Sequence, residues 1–381
     1  MPEVQQAIDC QSAGCLSVSG VSASTFAGRW ERIEIDTAED SYFDASAVKV
    51  EGGRLVASGS GPAGCCDHRR IAWSSNDGRH WQPHELPEAL DGFRFTGAHA
   101  RAGAVAVGDW ITGCAGSDGC RPVAAAWWSD RSGRWHRVPD DPKIFGYARM
   151  DHVWSRPGGY TALGHLVGDD GRAEAPMVWR SRDGRRWKRQ PPAGAAPLEA
   201  WDAIETPLGI VALTGRQAWR SPDGVTWERT ELLGDPNVNV TGTGQLFRAG
   251  SSALAVFDTS RPKNQRLEVH WSADGRHWEQ LPDAFGPPAT GWGYINSVRN
   301  LRHAIVAVGF YDRKPTVWES RDGRRWERTV LAGPAFHDAE VSDVTDFDGR
   351  IVLVGGTELP AGNRPRAQPL AWLRPGPPDS P

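Results

Sequence analysis

The chain has 381 residues, of which 39% are hydrophobic and 24% charged, and its formal net charge is −4; nothing in that balance supplies the basic excess that nucleic-acid binding calls for. No apolar run approaches the ~18 residues of a membrane-spanning helix, so no membrane span is expected. Forty-four glycines and 28 prolines set between short apolar runs point to an all-β chain with many turns.

Residues 1–27 form a polar, small-residue arm without the basic and apolar regions of a secretory signal. Ser12-Ala13-Gly14-Cys15 resembles the end of a lipoprotein lipobox but lacks the apolar run that should precede it. The expected home is extracellular or at the cell surface, after loss of a signal that this sequence does not contain; a cytoplasmic home is the alternative.

From residue 28 the chain repeats one unit seven times. Its clearest part is a short apolar run: Leu55-Val56-Ala57-Ser58-Gly59, Val105-Ala106-Val107-Gly108, Tyr160-Thr161-Ala162-Leu163-Gly164, Ile210-Val211-Ala212-Leu213-Thr214, Ala253-Leu254-Ala255-Val256, Ile305-Val306-Ala307-Val308-Gly309 and Ile351-Val352-Leu353-Val354-Gly355. Such runs, bounded by turn signals, read as strands buried on both faces. After each comes a hairpin built on tryptophan: Trp73 to Trp81, Trp127 to Trp135, Trp179 to Trp187, Trp219 to Trp227, His270 to Trp278 and Trp318 to Trp326. All but the second turn at Asp-Gly, a short hairpin signal in which glycine supplies positive φ. A seventh hairpin is split, with Leu370-Ala371-Trp372-Leu373 as its first arm and Arg29-Trp30-Glu31-Arg32-Ile33 as its second. A period of roughly 40–54 residues, four strands per unit and a unit shared by the two ends describe a seven-bladed β-propeller of four-stranded antiparallel blades, closed by strand exchange between the termini. The expected divisions are an arm at 1–27, a single propeller at 28–376 and a tail at 377–381.

The motif Ser181-x-Asp183-Gly184-x-x-Trp187 recurs as Ser75, Asp77, Gly78 and Trp81; as Ser221, Asp223, Gly224 and Trp227; as Ser272, Asp274, Gly275 and Trp278; and as Ser320, Asp322, Gly323 and Trp326. It resembles the Asp-box, or bacterial neuraminidase repeat, of sialidase-like propellers, a family that also includes sortilin-type receptors, assembly factors and some glucanases. In that family the box is a structural turn whose Asp accepts backbone N–H bonds and whose aromatic packs beneath it. This chain departs from the longest form by one residue between Asp and Trp, and Arg131-Ser132 stands where the second unit should have Asp-Gly. The box itself implies fold and not function. The catalytic pattern of sialidases is not found: there is no Arg-Ile-Pro, none of the five tyrosines sits in a sialidase context, and those enzymes resemble six-bladed rings.

Six cysteines, Cys10, Cys15, Cys65, Cys66, Cys114 and Cys120, include four in loops of neighbouring units and read as disulfides of an oxidising compartment. Zinc held partly by Cys65-Cys66-Asp67-His68 is the sharper alternative, but adjacent cysteines seldom ligate one metal together. No cofactor is expected. Arg79, Arg185, Arg186, Arg276, Arg324 and Arg325 recur beside the turn glycines and read as a solvated face that an acidic partner could use. On the opposite, loop-rich face, unit alignment puts Ser46, Asp151, Asp202, Asn296 and Ser342 near the start of the first strands. Trp110, Tyr147, Trp201, Trp292 and Tyr311 stand near them, aromatics outside the repeat positions. The reading is a non-enzymatic binding or scaffold module that engages a carbohydrate or protein partner there. A sialidase-like glycoside hydrolase using paired carboxylates, such as Asp151 and Asp202, is the alternative.

Overall fold

The computed structural model describes residues 26–36, 44–51, 53–62, 68–84, 94–100, 103–112, 121–130, 134–200, 202–235, 244–261, 264–286, 293–359 and 366–375. They form seven four-stranded antiparallel sheets, the blades of a β-propeller. Apart from a 3-10 turn at Pro334–Phe336, no helix occurs among the described residues. The first strands of blades 1 to 7 are Asp44–Glu51, Arg94–Ala100, Ala148–Arg156, Asp202–Thr206, Gln245–Ala249, Gly293–Asn300 and Ala339–Phe347. They contact one another from blade 2 to 3, from 4 to 5, 5 to 6, 6 to 7 and 7 to 1, and so surround the channel.

The seventh blade closes the ring as the split hairpin predicts. Ala339–Phe347, Arg350–Leu359 and Arg366–Pro375 come from the C-terminal end, and Glu31–Glu34 pairs on the outside, with Arg32 opposite Trp372 and Ile33 opposite Ala371. Pairing the two ends removes both open edges that the ring would otherwise present.

Burial between blades explains the tryptophans. Trp73, Trp127, Trp179, Trp318 and Trp372, one in the third strand of each of five blades, are fully buried. The indoles of Trp179, Trp318 and Trp372 donate to the carbonyls of Ile144, Phe285 and Ala335, at 2.8, 2.9 and 2.7 Å. Those acceptors lie in the connections entering each blade, so the ring nitrogen is satisfied while the ring fills the core.

The Asp-Gly turns differ from the tight hairpin that the dipeptide predicts. In blade 3, Ser181 pairs with Trp187, so the connection spans the five residues from Arg182 to Arg186. It is held by side chains: the Gly184 N–H donates to Ser181 Oγ at 2.8 Å, Ser181 Oγ to Asp183 Oδ1 at 3.2 Å, and the N–H groups of Arg185 and Arg186 to the same Oδ1 at 2.9 and 3.0 Å. Trp187 Nε1 then donates to the Gly184 carbonyl at 2.9 Å. The same arrangement of Ser, Asp and Gly recurs at Ser75, Ser221, Ser272 and Ser320. These bonds hold the carboxylates ionised: Asp77 lies well below the usual range, chiefly because the His80 N–H donates to it. Gly184 has φ 75°, and a Cβ there would stand 2.5 Å from Val105 Cγ2 of the preceding blade, so glycine serves both the turn and the blade interface.

Candidate functional site

The sequence reading placed five polar residues at one register, and the pairing shows why four of them belong together. Ser46, Asp151, Asn296 and Ser342 are each skipped in the pairing of first and second strands, between Ala45 and Ala47, Met150 and His152, Ile295 and Ser297, and Val341 and Asp343. Each is the extra residue of a β-bulge, a device that bends a strand and re-aims a side chain. The glycine that follows the apolar run within the second strand makes room for it. A Cβ at Gly164 would stand 1.9 Å from the Arg149 carbonyl oxygen, so the bulged strand approaches closer than any side chain permits. Asp202 belongs one step further on. It pairs with Leu213 as Asp343 pairs with Val354 and His152 with Leu163.

That one-residue difference separates two kinds of carboxylate. Asp343 is fully buried; its Oδ1 and Oδ2 each accept a bond from Arg299 at 2.8 Å, and they also take the N–H groups of Val344 and Val48, both at 2.9 Å. It ties blade 6 to 7 and 7 to 1. Asp202 repeats the pattern between blades 4 and 5, with Oδ1 accepting the Ala203 N–H at 2.8 Å and Oδ2 the Leu246 N–H at 2.7 Å. Burial raises the pKa of Asp202, against those backbone bonds and the field of His152. Asp151, by contrast, lies on the bulge with Oδ2 3.0 Å from Nδ1 of the nearly buried His165.

Asn296 donates from Nδ2 to the Val341 carbonyl at 2.9 Å and so joins blades 6 and 7, while Ser46 Oγ donates to the Ser58 carbonyl at 3.2 Å. Tyr311 stands edge-on to Trp318 with the Arg328 guanidinium 4.2 Å above its ring, which makes it part of the blade 6 packing. Tyr147 is 52% exposed. It bridges to Val123, which pairs in turn with Trp110, so the backbone brings Tyr147 and Trp110 together a few residues before Asp151. Arg149, between them, lies 3.7 Å from Asp109. Tyr147 and Asp151 therefore stand together where blade 3 begins, with the backbone of Trp110 in blade 2 across Val123 from Tyr147, while Asp202, Asn296 and Tyr311 are drawn into joints of the scaffold. Trp201, Trp292 and all six cysteines lie outside the described residues, as do the side chain of Trp110 and the box-less turn at Arg131-Ser132.

His165, Asp343, Arg299, Tyr294 and Glu340 were not legible as site residues. The Tyr294 hydroxyl donates to Glu340 Oε1 at 2.9 Å, and burial followed by the Glu340 charge pushes its pKa up. The bulge before Asp343 hid its register, and no local motif marks the others. Among the described residues no group of three or more His, Cys, Asp or Glu is placed to hold a metal ion, and no helix is long and apolar enough to cross a membrane.

No protein-family profile matches the sequence, and no curated protein matches it either. Solved structures do match the fold. The polysaccharide lyase Uly1 superposes with a TM-score of 0.53 at 10% identity, over 91% of this chain and 99% of that one. An α-L-arabinofuranosidase of Fusarium graminearum, solved with arabinobiose, gives 0.47 at 12% identity over 90% and 97%. The Trypanosoma rangeli sialidase gives 0.44 at 10% identity over 87% of this chain, which spans 55% of the sialidase chain. The chain shares the β-propeller fold of the polysaccharide lyase.

Proposed function

We propose that this propeller is a binding module that engages a carbohydrate or protein partner on its loop-rich face beside blade 3, and that it is not a catalyst. The observation that carries the reading is that both oxygens of Asp202 accept backbone N–H groups, while the exposed ring of Tyr147 stands beside the bulge that carries Asp151. A glycosidase of this kind needs one carboxyl group to protonate the leaving oxygen and a second, free to act as base or nucleophile, and Asp202 is instead a joint between blades. An exposed aromatic beside a few polar groups is how a pocket grips a sugar ring or a peptide. The shared fold of a polysaccharide lyase favours the sugar. Trp201 and Trp292 belong to the same proposed face, the five Ser-x-Asp-Gly-x-x-Trp turns are read as structural Asp-boxes, and residues 28–376 as one domain. An extracellular or cell-surface home with paired cysteines completes the proposal, and mass spectrometry without reductant on protein from its native compartment tests it: four free thiols at Cys65, Cys66, Cys114 and Cys120 would count against it.

Screening the folded protein against a glycan array, alongside a pull-down, identifies the ligand. Tyr147→Ala should then weaken binding by ~2 kcal/mol or more with little change in melting temperature, if the ring is a hot spot. Turnover of a glycoside by purified protein, abolished by Asp151→Asn, would replace this reading with the hydrolase.

A further inference from the structure

The opposite, hairpin-bearing face carries a charge pairing that joins blades at three boundaries and is reversed at one. Where an outer strand begins, the residue after the hairpin tryptophan is Glu31 in blade 7, Glu228 in blade 4 and Glu279 in blade 5. Each pairs with the arginine that follows the turn glycine of the next blade: Arg79 at 2.6 Å, Arg276 at 2.7 Å, and Arg324. At the boundary of blades 3 and 4 the two positions hold Lys188 and Val225, so the acid is replaced by a base and the arginine is missing.

The reversal continues within blade 3. Lys188 stands directly opposite Arg180, whereas the matching pair in blade 4 is Arg220 opposite Glu228, in contact at 3.1 Å. Like charges placed across an antiparallel pair destabilise it. Both line a cavity of about 540 Å³, together with Arg156, Arg182 and Arg186 and a single carboxylate, Asp183. That carboxylate is engaged by Ser181 and by the N–H groups of Arg185 and Arg186. Arg156 holds Glu205 at 3.1 Å but keeps Nε and Nη2 buried without a hydrogen-bond partner. Among the described residues Arg180, Arg182 and Lys188 have no ion-pair partner. The volume falls in the ~300–1,000 Å³ of small-ligand sites.

We propose that this cavity binds a ligand carrying two or more oxyanion groups, sulfate, phosphate or carboxylate, which supply the negative charge that the blade boundary lacks. Guanidinium forks suit such groups, and Lys188 adds a point charge between them. The site lies on the face opposite Tyr147 and stands independently of the function proposed there.

The test is calorimetric titration of the full chain with sodium pyrophosphate and with a sulfated disaccharide, at constant ionic strength, the unsulfated disaccharide serving as control. Saturable binding of an anion is expected. Lys188→Glu should reduce it at least tenfold and raise the anion-free melting temperature, because the new carboxylate pairs with Arg180; the exposed Arg182→Gln should reduce binding severalfold with folding unaffected. A preference for the sulfated sugar would assign a sulfated glycan, and a preference for pyrophosphate a phosphorylated ligand; either supports the site. Absence of saturable binding by both anions, or equal affinity in Lys188→Glu, overturns it.

Discussion

The hairpin turns and the channel strands are held by opposite means. In the five Ser-x-Asp-Gly turns the holding bonds join residues two or three apart, as from Gly184 to Ser181. Around the channel they join distant residues: Leu246 to Asp202 across 44 positions, and Val48 to Asp343 across 295. A turn of the first kind is complete as soon as its own residues are present. A joint of the second kind exists only once neighbouring blades have packed, and the Val48–Asp343 bond only once the ring has closed, so its loss should be felt by more than one blade.

The largest effect should come from the closure itself. Removing Leu370–Pro381 takes away most of Arg366–Pro375, which stands between the second strand of blade 7 and Glu31–Glu34. Two sheet edges are then exposed, and cooperative unfolding should be lost or replaced by aggregation. An unchanged calorimetric melt would show that the split blade adds nothing to the ring.

Next in size is Asp343→Ala. It leaves the Val48 amide without its acceptor and Arg299 without its fork, and should cost about 3–4 kcal/mol in denaturant unfolding. A loss under 1 kcal/mol would mean that the channel joints are as dispensable as surface pairs. Gly184→Val tests the local kind. Positive φ and contact with Val105 together should cost about 2–3 kcal/mol, and a parent-like melt would show that the turn can relax alone.

The smallest of the four is a pH effect. Glu268 receives Arg216 at 2.9 Å through both oxygens and lies 2.7 Å from His270 Nε2, joining blades 4 and 5. Burial would raise its pKa, but the bonds from His270 and Arg216 prevail and bring it to about 2. A folded pKa below the unfolded value means that its contribution is complete above about pH 4.5 and is lost as pH falls toward 2. Stability in urea should therefore fall by roughly 2 kcal/mol more in the parent than in Glu268→Gln over that interval. Parallel profiles would remove Glu268 from the joints that matter.

The fold was legible because its signals are local. Seven apolar runs and six hairpins each announce themselves within about ten residues, the repeat itself supplies the split seventh, and the fully buried Trp73, Trp179 and Trp372 stand where the repeat puts them. The candidate site was legible in part. Tyr147 and Asp151 stand four residues apart where blade 3 begins, whereas Asp202 pairs one register further on than Asp151, because alignment of the units cannot see the bulges that blades 1, 3, 6 and 7 carry.

By itself, then, the sequence determined the number of blades, the shared seventh sheet and the turn chemistry, since each depends on contacts between near neighbours or on a pattern repeated many times. Tertiary structure decided what the polar residues do. Whether a carboxylate clamps a neighbouring blade, as Asp343 does, or lies on a bulge against His165, as Asp151 does, depends on partners 14 to 295 residues away, which strand pairing, blade packing and ring closure bring within reach.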